Sequence, residues 1–156
     1  PAAAARVGPP AAPPAPPAAW QAWFDGSARP NPGRCAIGAV LRGPDVTVDI
    51  AAPAGHGDSS DAEYRALIAV LDAAVAHGAV GLVVHGDSRV VIDDVTGPDA
   101  GAAPALADYR RQVHARLARL PGARLRWVPR HRNGAADALS QRAFAAPFHT
   151  GPLAEV

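Results

Sequence analysis

The sequence predicts an α/β domain, a mixed five-stranded sheet with helices packed on it, and three features carry that expectation. Three alternating or apolar segments follow one another between turn signals. A continuous apolar run then lies between two stretches of helical period. Finally, a last strand-like segment precedes a last helix-like one.

In chain order, AWQAWFD (19–25), CAIGAVLR (35–42) and VTVDIAA (46–52) read as strands joined as hairpins, the first pair through DGSARPNPG and the second through Gly43-Pro44-Asp45. The polar segment PAGHGDSSD reads as a loop. A helix follows at about 61–77, because Ala66, Leu67, Val70, Leu71 and Ala74 share one face while Arg65 and Asp72 take the other. VGLVVHG (80–86) is continuous rather than alternating, the pattern of a strand buried on both faces, and DSRVVIDDV after it reads as a short helix. Pro104 opens a helix to about Leu120 with Leu106, Tyr109, Val113, Leu117 and Leu120 as its stripe. ARLRWV (123–128) is a fifth strand, and a last helix runs from about Gly134 to Ala146. The expected order is βββαβααβα.

This organisation puts one domain at 20–146. Residues 1–19 hold nine Ala and seven Pro and almost nothing to bury, so a disordered or polyproline-like leader is expected there rather than a secretory signal, with a flexible tail at 147–156. Alanine, at 38 of 156 residues, supplies about half of the apolar content, which predicts a small core of Leu, Val, Ile and Trp. A net charge of +1 excludes a histone-like protein and an acidic solvating chain. Cys35 is alone, so no internal disulfide and no zinc site are expected and the cytoplasm is the default compartment. No apolar run reaches the roughly 18 residues of a membrane span, since even ALIAVLDAAVA at 66–76 carries Asp72.

Four acids stand out by position. Asp25 follows the apolar Trp23-Phe24 at a strand's end, and Asp87 follows VVHG at another. Asp137 falls in the first turn of the last helix. Glu63 lies on the buried stripe of its helix, where an ionised carboxylate costs several kcal/mol unless a cation or donors meet it. Asp87 and Asp137 also suit a capping or helix-dipole role, and Asp25 an Asx-turn, whereas Glu63 has no comparable local explanation. Carboxylates without Cys or clustered His suit a hard divalent cation, magnesium or manganese, and metal-assisted phosphoryl transfer. Gly86-Asp87-Ser88 lacks the second glycine of a serine-hydrolase elbow, because position 90 is Val. Eight of the fifteen arginines, among them Arg126, Arg130 and Arg132, lie between 110 and 132 with no acid among them. A polyanionic ligand is therefore expected, against the plainer reading of a solvated face.

FDGSARPNPG (24–33), AEYRALIAVL (62–71), GDS (86–88) and NGAADALSQRA (133–143), in this order, resemble type 1 ribonuclease H, the enzymes that cut the RNA strand of an RNA–DNA hybrid. The resemblance spans about 20–146 and implies a ribonuclease H-like fold. It implies a metal-binding quartet of Asp25, Glu63, Asp87 and Asp137 with two magnesium ions: Asp25 bridging both, Glu63 and Asp87 completing their shells, and Asp137 holding the ion nearest the attacking water. Cleavage would leave a 5′-phosphate and a 3′-hydroxyl. Substrate contacts fall on Gly26, Ser27, Asn31, Gly33, Ser60, Ser88, Arg89 and Asn133, joined by Arg126, Arg130 and Arg132. Ser59, Ser60 and Arg89 depart from the Asn or Gln that other members place there. The segment TGPDAGAA leaves no room for the basic protrusion of some relatives. The short loop VPRHRNGAAD makes His131 the nearest candidate for a histidine assisting product release, though it also reads as a solvent-exposed loop residue. A monomer acting on hybrid, with no membrane and no obligate protein partner, is expected. The rivals are a junction resolvase or exonuclease on the same fold and a non-catalytic nucleic-acid-binding module.

Overall fold

The computed structural model describes residues 20–145; the expected leader at 1–19, the expected tail at 147–156 and Ala146, the expected end of the last helix, lie outside the described residues. Five strands form one mixed sheet: β1 (Gln21–Arg29), β2 (Gly33–Gly43), β3 (Val46–Gly57), β4 (Val83–Gly86) and β5 (Arg124–Trp127). The helices are α1 (Ser59–Ala76), α2 (Arg89–Thr96), α3 (Ala107–Leu117) and α4 (Gly134–Ala145), with 3₁₀ turns at Asp99–Gly101, Pro104–Leu106 and Arg130–Arg132. The expected order of strands and α-helices holds. Among the described residues, no helix is long and apolar enough to cross a membrane.

Strand order is β3-β2-β1-β4-β5, antiparallel on the hairpin side and parallel across β1-β4-β5. Alternation along β1 sends Ala22 and Phe24 into the main core with Leu67, Val70 and Leu71 of α1, and turns Asp25 toward α4. β2 is buried without a break from Cys35 to Leu41, because helices cover both of its faces. β4 is likewise buried throughout, as its continuous apolar run predicts.

Several boundaries differ from expectation. β1 does not end at Asp25 but runs to Arg29, and β3 absorbs Pro53–Gly57 of the expected loop. Both extensions pair with β2, through Arg29 opposite Arg34 and Gly57 opposite Gly33, so ladder hydrogen bonds outweigh the local turn signals of Gly and Pro. β4 begins at Val83 rather than 80. The helix expected from Pro104 starts as a 3₁₀ turn and becomes α-helical only at Ala107, ending at Leu117, with Val113 its one buried residue. α1 starts at Ser59, capped by Asp58, whose carboxylate accepts the Asp61 N–H at 2.9 Å while Asp61 accepts the Asp58 N–H at 2.8 Å.

Candidate active site

The parallel ladder between β1 and β4 stops at Phe24 opposite Gly86. Beyond that point β1 continues beside β2 while β4 turns into α2, so a cleft opens at the carboxyl end of the parallel pair. Asp25 and Asp87, the next residues on the two strands, flank it. Ser88, rather than Asp87, caps α2 by accepting the Val91 N–H at 3.3 Å, which leaves the Asp87 carboxylate available to the cleft.

Glu63 arrives from α1 through a close approach that only glycine allows. A Cβ on Gly26 would sit 2.2 Å from the Ala62 carbonyl, so its absence lets α1 lie against β1, and the Gly26 N–H donates to Glu63 Oε1 at 2.6 Å. Gly38 does the same on the other face: a Cβ there would meet the Ala136 oxygen at 2.1 Å. α4 thus packs close enough for Ser140 Oγ to donate to Asp25 Oδ2 at 3.1 Å.

Asp25, Glu63 and Asp87 each offer a carboxylate oxygen within 4.8 Å of the others. Asp25 and Glu63 are buried. Desolvation, the Asp87 charge and, to a lesser degree, Asp137 push Asp25 up to about 7 despite the Ser140 hydrogen bond. Desolvation followed by the Asp25 charge pushes Glu63 up to about 9, opposed by the Gly26 N–H and by the Arg130 guanidinium. Acids that burial and mutual repulsion both disfavour, with oxygen-only donors, fit a hard divalent cation, which relieves both costs at once.

Asp137 lines the same cleft, near enough to act on Asp25 but outside the 4.8 Å cluster, and Gln141 Nε2 donates to it at 3.4 Å. The cleft encloses about 510 Å³. Of the residues expected to touch substrate, Gly26, Ser27, Ser60, Ser88, Arg89 and Arg130 line it, as does Ser59. Arg89 is set by stacking 4.0 Å over the Trp127 ring, whose Nε1 donates to the Asp87 carbonyl at 3.2 Å. Asn31 is exposed and does not line the cleft, its Oδ1 accepting the Ser59 N–H at 3.1 Å, and Gly33 pairs with β3.

Asn133 is buried behind the acids rather than exposed to the cleft. Arg126, Arg132 and His131 are exposed and do not line it, with Arg126 beside His85 on the sheet face away from α1. The basic run is also less free than its sequence implies. Arg110 pairs with Asp94 and Asp99 at 3.4 and 3.6 Å, Arg111 with Asp108 at 2.7 Å and Arg116 with Asp72 at 2.6 Å, acids brought from outside the run.

Sequence reasoning missed Ala28, Arg29, Val90 and Gln141 on the walls and Ser140 beneath them. Arg29 donates to Gln141 Oε1 and so braces the Asp137 side. Helical spacing offered a signal for two of these, since Ser140 and Gln141 lie one turn beyond Asp137.

A five-stranded sheet of this order with a carboxylate cleft at its parallel switch defines a ribonuclease H-like domain. The chain belongs to the reverse transcriptase-like family, whose profile matches residues 23–143, and its likeness within that family is to type 1 ribonucleases H. Ribonuclease HI of Halobacterium salinarum is 36% identical over 124 residues, 78% of this chain and 62% of that protein. The crystal structure of that organism's RNase H1 superposes with a TM-score of 0.73 at 34% identity, covering 81% of this chain and 97% of that one. The N-terminal RNase H domain of Rv2228c from Mycobacterium tuberculosis gives 0.73 at 33% identity, covering 80% and 97%; the whole protein, called bifunctional, is matched over 34% of its length. LC11-RNase H1, solved in complex with an RNA/DNA hybrid, gives 0.72 at 27% identity, covering 81% and 96%. The chain thus spans less than two thirds of its first curated relatives.

Proposed function

We propose that this chain is an endoribonuclease that hydrolyses the RNA strand of RNA–DNA hybrids, leaving 5′-phosphate and 3′-hydroxyl ends, with magnesium as its cation. The observation that carries this reading is the convergence of Asp25, Glu63 and Asp87 within 4.8 Å in a cleft also lined by Arg89 and Arg130. The relatives point the same way, through their ribonuclease names and the hybrid complex of LC11-RNase H1. Retention of all the acids argues against a binding module without activity.

Asp25, Glu63 and Asp87 would hold the cation, with Asp137 as a further ligand at the cleft's edge. Bound there, it supplies Lewis-acid activation of water and charge stabilisation at the leaving 3′-oxygen, and two ions are the arrangement we propose. The chain's own residues prepare the site. Ser140 and the Gly26 N–H orient Asp25 and Glu63 before substrate arrives, so little reorganisation is needed. Arg89, stiffened by Trp127, and Arg130 meet backbone phosphates. Ser59 and Ser60 line the cleft and would offer their hydroxyls to the sugars of the bound strand.

The test is cleavage of end-labelled hybrid, duplex RNA and duplex DNA, with and without magnesium, by the wild type and Asp25→Asn. Magnesium-dependent cutting of the hybrid's RNA strand alone is expected, with the variant reduced to a few per cent or less. Cutting of duplex DNA, or an active Asp25→Asn, overturns the assignment.

A further inference from the structure

We propose that Asn133 is a positioning residue for the carboxylate cluster, holding Asp87 against β1 through one carboxamide, rather than a contact to nucleic acid. The inference deepens the ribonuclease reading and rests on it.

Asn133 is 1% exposed and lies behind the cleft wall. Its Nδ2 donates to the Phe24 carbonyl at 2.9 Å and to Asp87 Oδ2 at 3.1 Å. Phe24 is the last β1 residue in register with β4, and Asp25 follows it directly. One NH₂ group therefore bridges the two strands where their own ladder ends, each hydrogen taking one acceptor. Because both partners only accept, the orientation of the carboxamide is fixed by them.

That orientation leaves Asn133 Oδ1 buried with no partner. An aliphatic side chain of similar volume would fill the space but give the Phe24 carbonyl and Asp87 Oδ2 no donor, so what the carboxamide adds is its two hydrogen bonds and not its volume. The Asn133 backbone adds a third attachment. Its carbonyl accepts the Asp137 N–H at 3.1 Å, and its N–H donates to the Arg130 carbonyl at 2.9 Å. One residue thus joins β1, the Asp87 turn and the first turn of α4, the carriers of Asp25, Asp87 and Asp137.

Asp25, Glu63 and Asp87 crowd carboxylate oxygens within 4.8 Å of one another, so their charges repel wherever no cation lies between them. Without the amide, Asp87 is free to swing outward to solvent. Removing such an outer partner of a metal-binding carboxylate typically costs about 10- to 100-fold in metal affinity or activity.

The experiment compares wild type and Asn133→Ala by calorimetric titration with magnesium alone, thermal melting, and steady-state cleavage of hybrid. Magnesium affinity and kcat are each expected to fall about tenfold or more, with KM for hybrid unchanged within about twofold. A raised KM with unchanged magnesium affinity and kcat returns Asn133 to the nucleic-acid interface and overturns the proposal. A lowered melting temperature with magnesium binding intact makes it a packing residue and does the same. Should Asn133→Ala not fold, Asn133→Leu, similar in volume but without the donors, is read identically. Failure of both to fold also overturns the proposal. A wild type inactive on hybrid would sink the ribonuclease reading, while the magnesium titrations would still decide the role of Asn133.

Discussion

Glu63→Gln separates the burden that the cluster places on the fold from its use in binding a cation. Burial and Asp25 push the Glu63 carboxyl from 4.5 up to about 9, so the folded chain keeps a proton that the unfolded chain has lost across that window. Stability of the metal-free protein must therefore fall as pH rises, by up to about 1.4 kcal/mol per pH unit for one proton. Asp25, raised from 3.8 to about 7, acts with the same sign but only below that value. His85, lowered from 6.5 by burial and by Arg126, acts with the opposite sign, since the unfolded chain binds more protons in its window and stability there rises with pH. Glu63 thus dominates the interval from pH 7 to 9, and the smaller contributions of the same sign from Asp25 and from the buried Cys35 thiol are common to the two proteins. Two pH units bound the loss at about 3 kcal/mol, and relaxation of the cleft reduces it to about 1–3 kcal/mol. At about 4 °C per kcal/mol, the wild-type melting temperature should drop about 4–12 °C from pH 7 to 9 in chelator. Glutamine imitates the protonated acid and still accepts the Gly26 N–H, so the variant should lose far less of its melting temperature over this interval and exceed the wild type at pH 9. Magnesium should restore the wild type and raise the variant less, since Asp25, Asp87 and Asp137 remain to hold it. A wild-type melting temperature that is flat or rising over this interval, or a variant that falls in parallel, would refute the reasoning.

Gly26→Ala forces a Cβ to 2.2 Å from the Ala62 backbone, so α1 must retreat and the Gly26–Glu63 hydrogen bond lengthens. A loss of about 2–4 kcal/mol is expected from overpacking and the weakened charged hydrogen bond, read by urea denaturation, and a neutral result would show that the close approach is not required. Arg130→Ala should raise KM for hybrid and flatten its salt dependence, whereas Arg111→Ala, already paired with Asp108, should do neither; equal effects of the two would return the arginines to an undifferentiated basic surface.

What could be read along the chain follows from how local each signal is. The α1 stripe was legible because helical period is a property of neighbours in sequence, and the structure buries Ala66, Leu67, Val70, Leu71 and Ala74 as expected, with Glu63 among them. The extensions of β1 and β3 were not legible, because Gly26, Pro53 and Gly55 look like turn residues until β2 is placed beside them. The ion pairs within the basic run were hidden for the same reason: Asp72 and Asp94 reach Arg116 and Arg110 only when α3 packs beside α1 and α2.

The sequence by itself determined the order of elements and singled out acids whose surroundings are too apolar for a solvated charge. Periodicity and residue type are written locally, and an out-of-place carboxylate is visible without knowing what it meets. Only the tertiary structure decided what those acids meet. The Ser140–Asp25 and Asn133–Phe24 hydrogen bonds join residues 115 and 109 positions apart. Their geometry depends on the β1–β4 register and on how closely α1 and α4 approach the sheet over Gly26 and Gly38. Such distances are set by the packing of remote segments, a quantity that no stretch of chain contains alone.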